Sequence, residues 1–156
     1  SGCTPTKKIF LHAVMESRLP LLKICFTHGH DMNQQIGDYK PIEWCVAFST
    51  EEAVDTCVLF GAEVTYVAIH LSMRRPEMFF YLCDCDIQIT SDHLKSLVEI
   101  IFTRLHRNER VSDDYQRMLE ECYARNVQAG LHYDYIRRVM DIITHPVWKA
   151  SLQVFC

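Results

Sequence analysis

The sequence PIEWCVAFSTEEAVDTCVLFGAEV, residues 41–64, decides the fold class of this chain. It contains two short apolar runs at helical spacing, residues 42–48 and 53–60, which four polar residues separate. Pro41 suits the first turn of a helix, because the N–H group there has no partner within the helix. Gly61 suits the position just beyond a helix, where a positive φ costs glycine little. The stretch therefore predicts a pair of short helices.

The same pattern occurs twice more in the first two thirds of the chain. Gly29 and Gly61 end two successive copies and lie 32 positions apart, and Asp84 takes the place of glycine in a third, weaker copy. A repeat at this period is typical of a solenoid protein. A helix pair this small cannot bury both of its faces alone, so we expect the pairs to stack. The three pairs are predicted within residues 9–29, 42–61 and 67–84.

Four segments of the chain resemble the ankyrin repeat. Residues 11–14, Leu-His-Ala-Val, are similar to the Leu-His-x-Ala of the family's first helix. Residues 40–45, Lys-Pro-Ile-Glu-Trp-Cys, occupy the Thr-Pro-Leu-His-x-Ala position with Thr and His replaced. Residues 29–33 and 61–64 resemble the family's Gly-Ala-Asp-Val-Asn. The resemblance covers about residues 8–88 and implies an all-α solenoid of about three degenerate ankyrin-like repeats.

From residue 91 onward the sequence predicts longer helices. Each has one apolar stripe and a polar remainder, which is the pattern of a helix that packs on one side. Ser112 suits the N-cap of the second of these helices. We expect this C-terminal extension, residues 91–156, to cap the repeats of residues 8–88 within a single domain of residues 1–156. The stripes lie within residues 94–105, 115–123, 136–143 and 147–155.

Composition limits the environment and the partners of the chain. The net charge is −4, which disfavours nucleic-acid binding because such binding neutralises phosphates with basic side chains. The longest apolar runs, such as residues 69–73 and 79–83, fall far short of the ~20 residues of a membrane helix. Five of the eight cysteines lie in apolar helical patterns, where a free cysteine acts as a small apolar residue. We predict a reducing compartment, cytoplasmic or nuclear, and no membrane association.

No residue pattern supports catalysis or a cofactor. The chain has five glycines and no glycine-rich turn for a phosphate group. Cys25 and His28 share one predicted helix, but nothing orients them as a nucleophile and a base. Cys83, Cys85 and His93 are an alternative zinc site, although structural zinc sites usually space their paired cysteines by two or more residues. We therefore predict no catalytic residue, no metal site, no cofactor and no enzymatic activity.

Recognition of another macromolecule is the function that the resemblance to ankyrin repeats implies. In that family the partner contacts the hairpins between repeats and the exposed side of the first helices. In this chain one such hairpin remains, in residues 34–40. We predict that another protein binds this hairpin and the adjoining groove. The identity of that protein and homo-oligomerisation stay open. The predicted contact residues are Gln34, Gln35, Ile36, Asp38 and Tyr39 on the hairpin, and Glu16, Phe48, Ser49, Met73 and Arg74 on the groove side.

Two alternative functions stay open beside this one. Residues 151–156, Ser-Leu-Gln-Val-Phe-Cys, resemble the Ser/Thr-Leu-x-x-x-Cys opening of an elongin-binding box, which implies a substrate adaptor of a ubiquitin ligase. Arg104, Arg107 and Arg110 form a basic cluster that favours a nucleic-acid-associated factor if phosphates bind there. Nearby acidic residues can neutralise this cluster, so a solvated surface is the simpler interpretation.

Overall fold

The computed structural model of this chain describes residues 7–29 and 31–156, and within them the fold is all-helical. The predicted all-α fold class is confirmed. No helix among these residues has the length and apolar character needed to cross a membrane. His30, which belongs to the motif of residues 29–33, lies outside the described residues. The helices are α1 (Lys7–Met15), α2 (Leu19–Thr27), α3 (Pro41–Phe48), α4 (Glu51–Leu59), α5 (Tyr66–Ser72), α6 (Pro76–Cys83), α7 (Ser91–His106), α8 (Asp113–Ala124), α9 (Tyr133–Ile142) and α10 (Pro146–Gln153), with a 3-10 turn (Gly130–His132) before α9.

Contacts within the chain define two compact units. The first unit ends at Ser72, and the second is Met73–Cys156. The boundary lies between α5 and α6, whereas the sequence pattern changes after residue 88. Helices of the first unit have 7 to 9 residues, while α7 and α8 of the second have 16 and 12.

The first unit has two layers of short helices. In one layer α1 packs against α3 and α3 packs against α5, and in the other α2 packs against α4. α1 also packs against α2, and α3 against α4. Each layer therefore joins helices that occupy equivalent positions in successive pairs. The interior includes Phe10, Val14, Leu22, Cys25, Ile42, Cys45, Val54, Cys57 and Ala68.

Local sequence signals fix the ends of these short helices. Pro41 occupies the first turn of α3. The Thr50 hydroxyl caps α4 by accepting the Ala53 N–H at 3.3 Å, which satisfies a donor that has no partner within the helix. Gly29 and Gly61 follow α2 and α4 with φ of +91° and +98°, a backbone region that favours glycine. The predicted proline start and glycine stops of the helix pair are confirmed.

The second unit is built on longer helices with one buried stripe each. α7 and α10 each pack against α8 and α9, and α6 packs against α8. Ser112 caps α8 as predicted, because its hydroxyl accepts the Asp114 N–H at 3.2 Å. The Thr90 N–H, just before α7, donates to Nδ1 of the buried His93 at 3.0 Å. The interior includes Phe79, Leu94, Leu97, Ile101, Tyr115, Met118, Cys122, Ile136, Val139 and Leu152.

Candidate partner-binding surface

The hairpin of residues 34–40 is closed by main-chain hydrogen bonds. The Ile36 N–H donates to the Tyr39 carbonyl at 2.8 Å, and the Tyr39 N–H donates to the Ile36 carbonyl at 3.4 Å. Gly37 turns the chain between them with φ of +63°, which residues with a Cβ adopt only at a cost. The Ile36 side chain is buried beneath the turn. The hairpin is thus a fixed projection and not an open loop.

Trp44 connects this hairpin to helix α3. Its indole Nε1–H donates to the Ile36 carbonyl at 2.7 Å, while the ring itself is half-buried. The Ile36 carbonyl accepts two hydrogen bonds, one from the hairpin and one from the helix. Half-burial of the ring sets Trp44 between the interior of the first unit and its exposed surface. It is thus the support on which the hairpin rests.

Three aromatic side chains, Tyr39, Trp44 and Phe48, form what we term the aromatic row. The rings of Tyr39 and Trp44 meet edge to face, with centroids 5.1 Å apart and an interplanar angle of 84°. The rings of Trp44 and Phe48 follow with centroids 5.7 Å apart, as residues one helical turn apart can do. Phe48 ends the row with 50% of its surface exposed. The row therefore runs from the hairpin to an exposed apolar side chain on α3.

The buried carboxylate of Glu43 fixes the base of the hairpin. Glu43 Oε1 accepts the Lys40 N–H at 3.0 Å, and Glu43 Oε2 accepts the Thr65 hydroxyl. The Thr65 hydroxyl oxygen in turn accepts the Ala68 N–H at 3.0 Å, in the first turn of α5. One side chain thus links the end of the hairpin, the start of α3 and the start of α5. The role of Glu43 depends on Thr65, a residue distant in the chain, and could not be read from the sequence.

The structure divides the predicted contact residues of the first unit into exposed and buried ones. Ile36 is buried because it anchors the hairpin, and Ser49 is buried behind α3 with its hydroxyl 3.4 Å from that of Ser17. The placement of these two on the binding surface is corrected, because they support that surface from within. Tyr39 is half-buried, as its ring packs on Trp44. The exposed residues are Glu16, Gln34, Gln35, Asp38 and Phe48.

The remaining predicted contact residues belong to the second unit. Met73 is fully buried, so its placement on a groove surface is also corrected. Arg74 is exposed, and its main-chain carbonyl accepts the Tyr115 hydroxyl at 3.4 Å. The aromatic row itself is formed by residues of the first unit.

The three arginines of the predicted basic cluster occupy different environments. The Arg104 guanidinium stacks on the Tyr115 ring at 4.9 Å, a cation–π contact with a largely buried tyrosine. Arg107 and Arg110 are exposed in the segment between α7 and α8. Burial raises the pKa of Tyr115, and the charge of Arg104 opposes that rise. Arg104 thus has a packing role, which leaves two arginines free to extend into solvent.

The C-terminal segment of residues 151–156 is folded into the second unit. Leu152 and Phe155 are buried, whereas Cys156 is exposed. The Ser151 hydroxyl donates to the Val147 carbonyl at 2.9 Å within α10. The leucine that gives this segment its resemblance to an elongin-binding box is thus part of the core.

Several cysteine thiols of the two units have raised pKa values, which favours the protonated form. Burial raises the pKa of Cys122 to about 12 and that of Cys83 to about 11. The Sγ atoms of Cys45 and Cys57 lie 3.5 Å apart, and this contact together with burial raises the pKa of Cys45. Protonated thiols are poor nucleophiles and poor metal ligands. Among residues 7–29 and 31–156, no three His, Cys, Asp or Glu side chains are grouped so that they could hold a metal ion.

Sequence reasoning missed part of the exposed apolar surface. Leu59, at the end of α4, has 75% of its surface exposed, and Phe60 beyond it is also exposed. A signal for Leu59 was present, since it lies four and seven positions from Asp55 and Glu52 along α4. These spacings place all three on one helix face, so the polar residues identify that face as solvent-facing.

Comparison with known proteins identifies no relative: no family, no curated protein and no solved structure matches this chain.

Proposed function

We propose that this chain is a protein-interaction module, an adaptor or scaffold, that binds another protein through the hairpin of residues 34–40 and the aromatic row. The observation that carries this proposal is the row itself. It joins a projecting turn to an exposed Phe48 by ring contacts of 5.1 and 5.7 Å. Large, partly exposed aromatic side chains on a fixed scaffold are the residue type that dominates the binding energy of protein interfaces.

Preorganisation makes this surface suited to binding. The hydrogen bond from Trp44 to Ile36 and the main-chain bonds between Ile36 and Tyr39 hold the hairpin before any partner arrives. Ordering a loop on binding costs free energy, and a loop that is already ordered avoids most of that cost. Tyrosine and tryptophan add large contact areas with only two side-chain torsions each to restrict.

We further propose that the first unit is an ankyrin-like solenoid. Its two layers join helices in equivalent positions, which supports stacking of successive helix pairs. Ser17 and Ser49 are 32 positions apart, like Gly29 and Gly61, and their hydroxyl oxygens lie 3.4 Å apart. Contact between residues separated by one repeat length is what stacked repeats produce. The short hairpin between α2 and α3 is consistent with the same arrangement.

The proposed role is binding without catalysis, in the cytoplasm or the nucleus. The raised pKa values of Cys45 and Cys122 disfavour a thiolate nucleophile at these positions, and buried free cysteines are consistent with a compartment in which cysteines stay reduced.

The test is a quantitative affinity pull-down with three versions of the chain as bait. Wild type and Phe48→Ala probe the aromatic row, and Leu131→Ala is the matched control, because Leu131 is an exposed apolar residue of the second unit. Loss of an interface aromatic costs ~2 kcal/mol or more, about thirtyfold in affinity. We expect proteins retained by wild type and by Leu131→Ala to be depleted with Phe48→Ala. Circular dichroism establishes that all three baits are folded.

The opposite pattern contradicts the proposal. If Phe48→Ala retains the same proteins at the same level as wild type, the aromatic row is not the binding surface. Dependence on Leu131, or on charge reversal at Arg107 and Arg110, assigns binding to the second unit instead.

A further inference from the structure

Charge is distributed unevenly along the chain, and one segment of the first unit is strongly acidic. Residues 24–72 contain seven acidic side chains and one basic side chain, Lys40, which gives this segment a net charge of −6. The whole chain has a net charge of −4, so residues outside the segment are basic on balance. The seven acidic residues are Asp31, Asp38, Glu43, Glu51, Glu52, Asp55 and Glu63.

Exposed carboxylates stand at both ends of the aromatic row. Asp38 is exposed at the turn of the hairpin and directly precedes Tyr39. Glu51 and Glu52 are exposed in the first turn of α4, three and four residues after Phe48. A chain segment of that length spans at most about 14 Å, so the Cα atoms of Glu51 and Glu52 lie within that distance of the Cα atom of Phe48.

These three carboxylates have no ion-pair partner within residues 7–29 and 31–156. Other charged groups also lie near the row. Glu16 and Arg18, of opposite charge, are exposed on either side of Ser17, whose hydroxyl lies 3.4 Å from that of Ser49, the residue after Phe48. Lys40 is half-exposed beside Tyr39 and contributes one positive charge. The Glu43 carboxylate is buried and engaged by Lys40 N–H and the Thr65 hydroxyl, so it does not present itself to a partner.

Apolar surface bordered by carboxylates of one sign selects its partner by charge. A partner with acidic side chains or phosphates meets repulsion at Asp38 and at Glu51, whereas a basic partner gains attraction at both places. Aromatic faces add to this preference, because the negative π-face of Tyr39 or Phe48 attracts an ammonium or guanidinium group.

We propose that the partner presents a cationic segment, rich in Arg or Lys and carrying at least one apolar side chain, to the aromatic row. The apolar side chain packs against Phe48, while basic side chains approach Asp38 on the hairpin and Glu51 and Glu52 on α4. This inference rests on the proposed function, because it assigns the chemistry of the partner to the same surface. Attraction between opposite charges also speeds encounter, so association weakens and slows as salt rises.

The first step of the test is a selection that leaves the chemistry of the binder open. A display library of random peptides of about twelve residues is selected on the immobilised full chain, and peptides that also bind Phe48→Ala are removed. We expect the peptides that depend on Phe48 to be enriched in Arg and Lys relative to the starting library. Enrichment of neutral or acidic peptides overturns the inference and leaves the proposed function standing.

The second step measures affinities of the selected peptides with charge-reversed variants. Asp38→Lys and Glu51→Lys reverse carboxylates beside the row, and Glu120→Lys is the matched control, because Glu120 is an exposed carboxylate on α8 of the second unit. We expect Kd to rise about tenfold or more for each variant beside the row and to stay unchanged for Glu120→Lys. We also expect binding by wild type to weaken between about 0.05 M and about 0.5 M NaCl.

Each other outcome has a defined meaning. Peptides that need Phe48 but tolerate Asp38→Lys, Glu51→Lys and high salt overturn the cationic partner and support the aromatic row. Peptides that bind Phe48→Ala as well as wild type count against the proposed function and the inference together. Self-association of the chain that Phe48→Ala abolishes identifies a second copy as the occupant and overturns the inference.

Discussion

The two units of this chain stabilise their helices in different ways. In the second unit, α7 and α8 are long enough to carry ion pairs on their outer faces, Lys95–Glu99 at 2.6 Å and Arg125–Glu121 at 2.8 Å. In the first unit, helices of 7 to 9 residues are too short to be stable alone in water and depend on their neighbours. In the first unit, side chains that connect neighbouring elements, such as Trp44 and Glu43, supply stabilisation that longer helices supply in the second unit.

This difference explains where the candidate binding surface lies. The second unit uses one apolar stripe on each long helix for its interior, and exposed positions of these helices include the charged residues Asp92, Arg117 and Glu120. The first unit needs rigid connections between short helices, and a rigid connection that projects from the fold is also a preorganised binding element. The same rigid connection therefore joins the short helices and makes the hairpin available for binding.

The largest effect is expected from a charge placed between the short helices. Val54→Asp buries a carboxylate at a fully buried position of α4 where nothing pairs with it. That costs several kcal/mol, a large share of the ~5–15 kcal/mol by which a domain is stable. We expect the variant to lose the helices of the first unit, as seen by circular dichroism and limited proteolysis. Leu59→Asp is the control on the same helix, since Leu59 is 75% exposed and should tolerate the change. A Val54→Asp variant that melts like wild type shows that α4 does not pack as described.

An intermediate effect is expected where one side chain joins several elements. Glu43→Ala leaves the Lys40 N–H and the Thr65 hydroxyl without their acceptor, which costs ~1–3 kcal/mol when such groups are buried. Glu43→Gln keeps one acceptor oxygen and should lose less stability than Glu43→Ala. In the second unit, Glu99→Ala removes only an exposed ion pair and should leave the denaturation midpoint nearly unchanged. Equal losses of stability for Glu43→Ala and Glu99→Ala would show that the two units do not stabilise their helices in different ways.

The smallest effect on stability is expected at the support of the hairpin. Trp44→Phe keeps an aromatic ring in the row and removes the Nε1–H donor to the Ile36 carbonyl. We expect this to lower the free energy of unfolding by ~0.5–1.5 kcal/mol. We expect faster hydrogen exchange at the Ile36 and Tyr39 amides, because the hairpin opens more often. Trp148→Phe, in the second unit, is the control and should leave those two amides unchanged. Unchanged exchange in Trp44→Phe contradicts the assigned role of the indole.

The elements that depend on local signals could be predicted from the sequence. Pro41 and Gly61 mark the ends of the α3–α4 pair because proline and glycine restrict the backbone at their own positions. Helix α8 was predictable for the same reason, since Ser112 caps it through a residue two positions away. Such signals operate within one turn of helix, so a single sequence contains them in full.

The elements that depend on distant partners could not be predicted. Ile36 belongs to a polar segment that suggested exposure, and it is buried because the turn directs its side chain inward. Ser49 and Met73 are each followed by polar residues in the sequence, which suggested exposure. Their burial depends on the packing of helices and not on these neighbours. The bond between Glu43 and Thr65 joins residues 22 positions apart, and nothing in either local sequence indicates it.

The layered packing of the first unit has a consequence for the speed of folding. Each helix there packs against the next or the next but one along the chain, α1 with α3, α2 with α4 and α3 with α5. The search for native contacts is therefore confined to short loops, whose closure costs little conformational entropy. Helical proteins rich in such local contacts fold in microseconds to milliseconds. We expect refolding to begin at any one helix pair and to extend to its neighbours, with α3 as the helix through which growth passes in both directions.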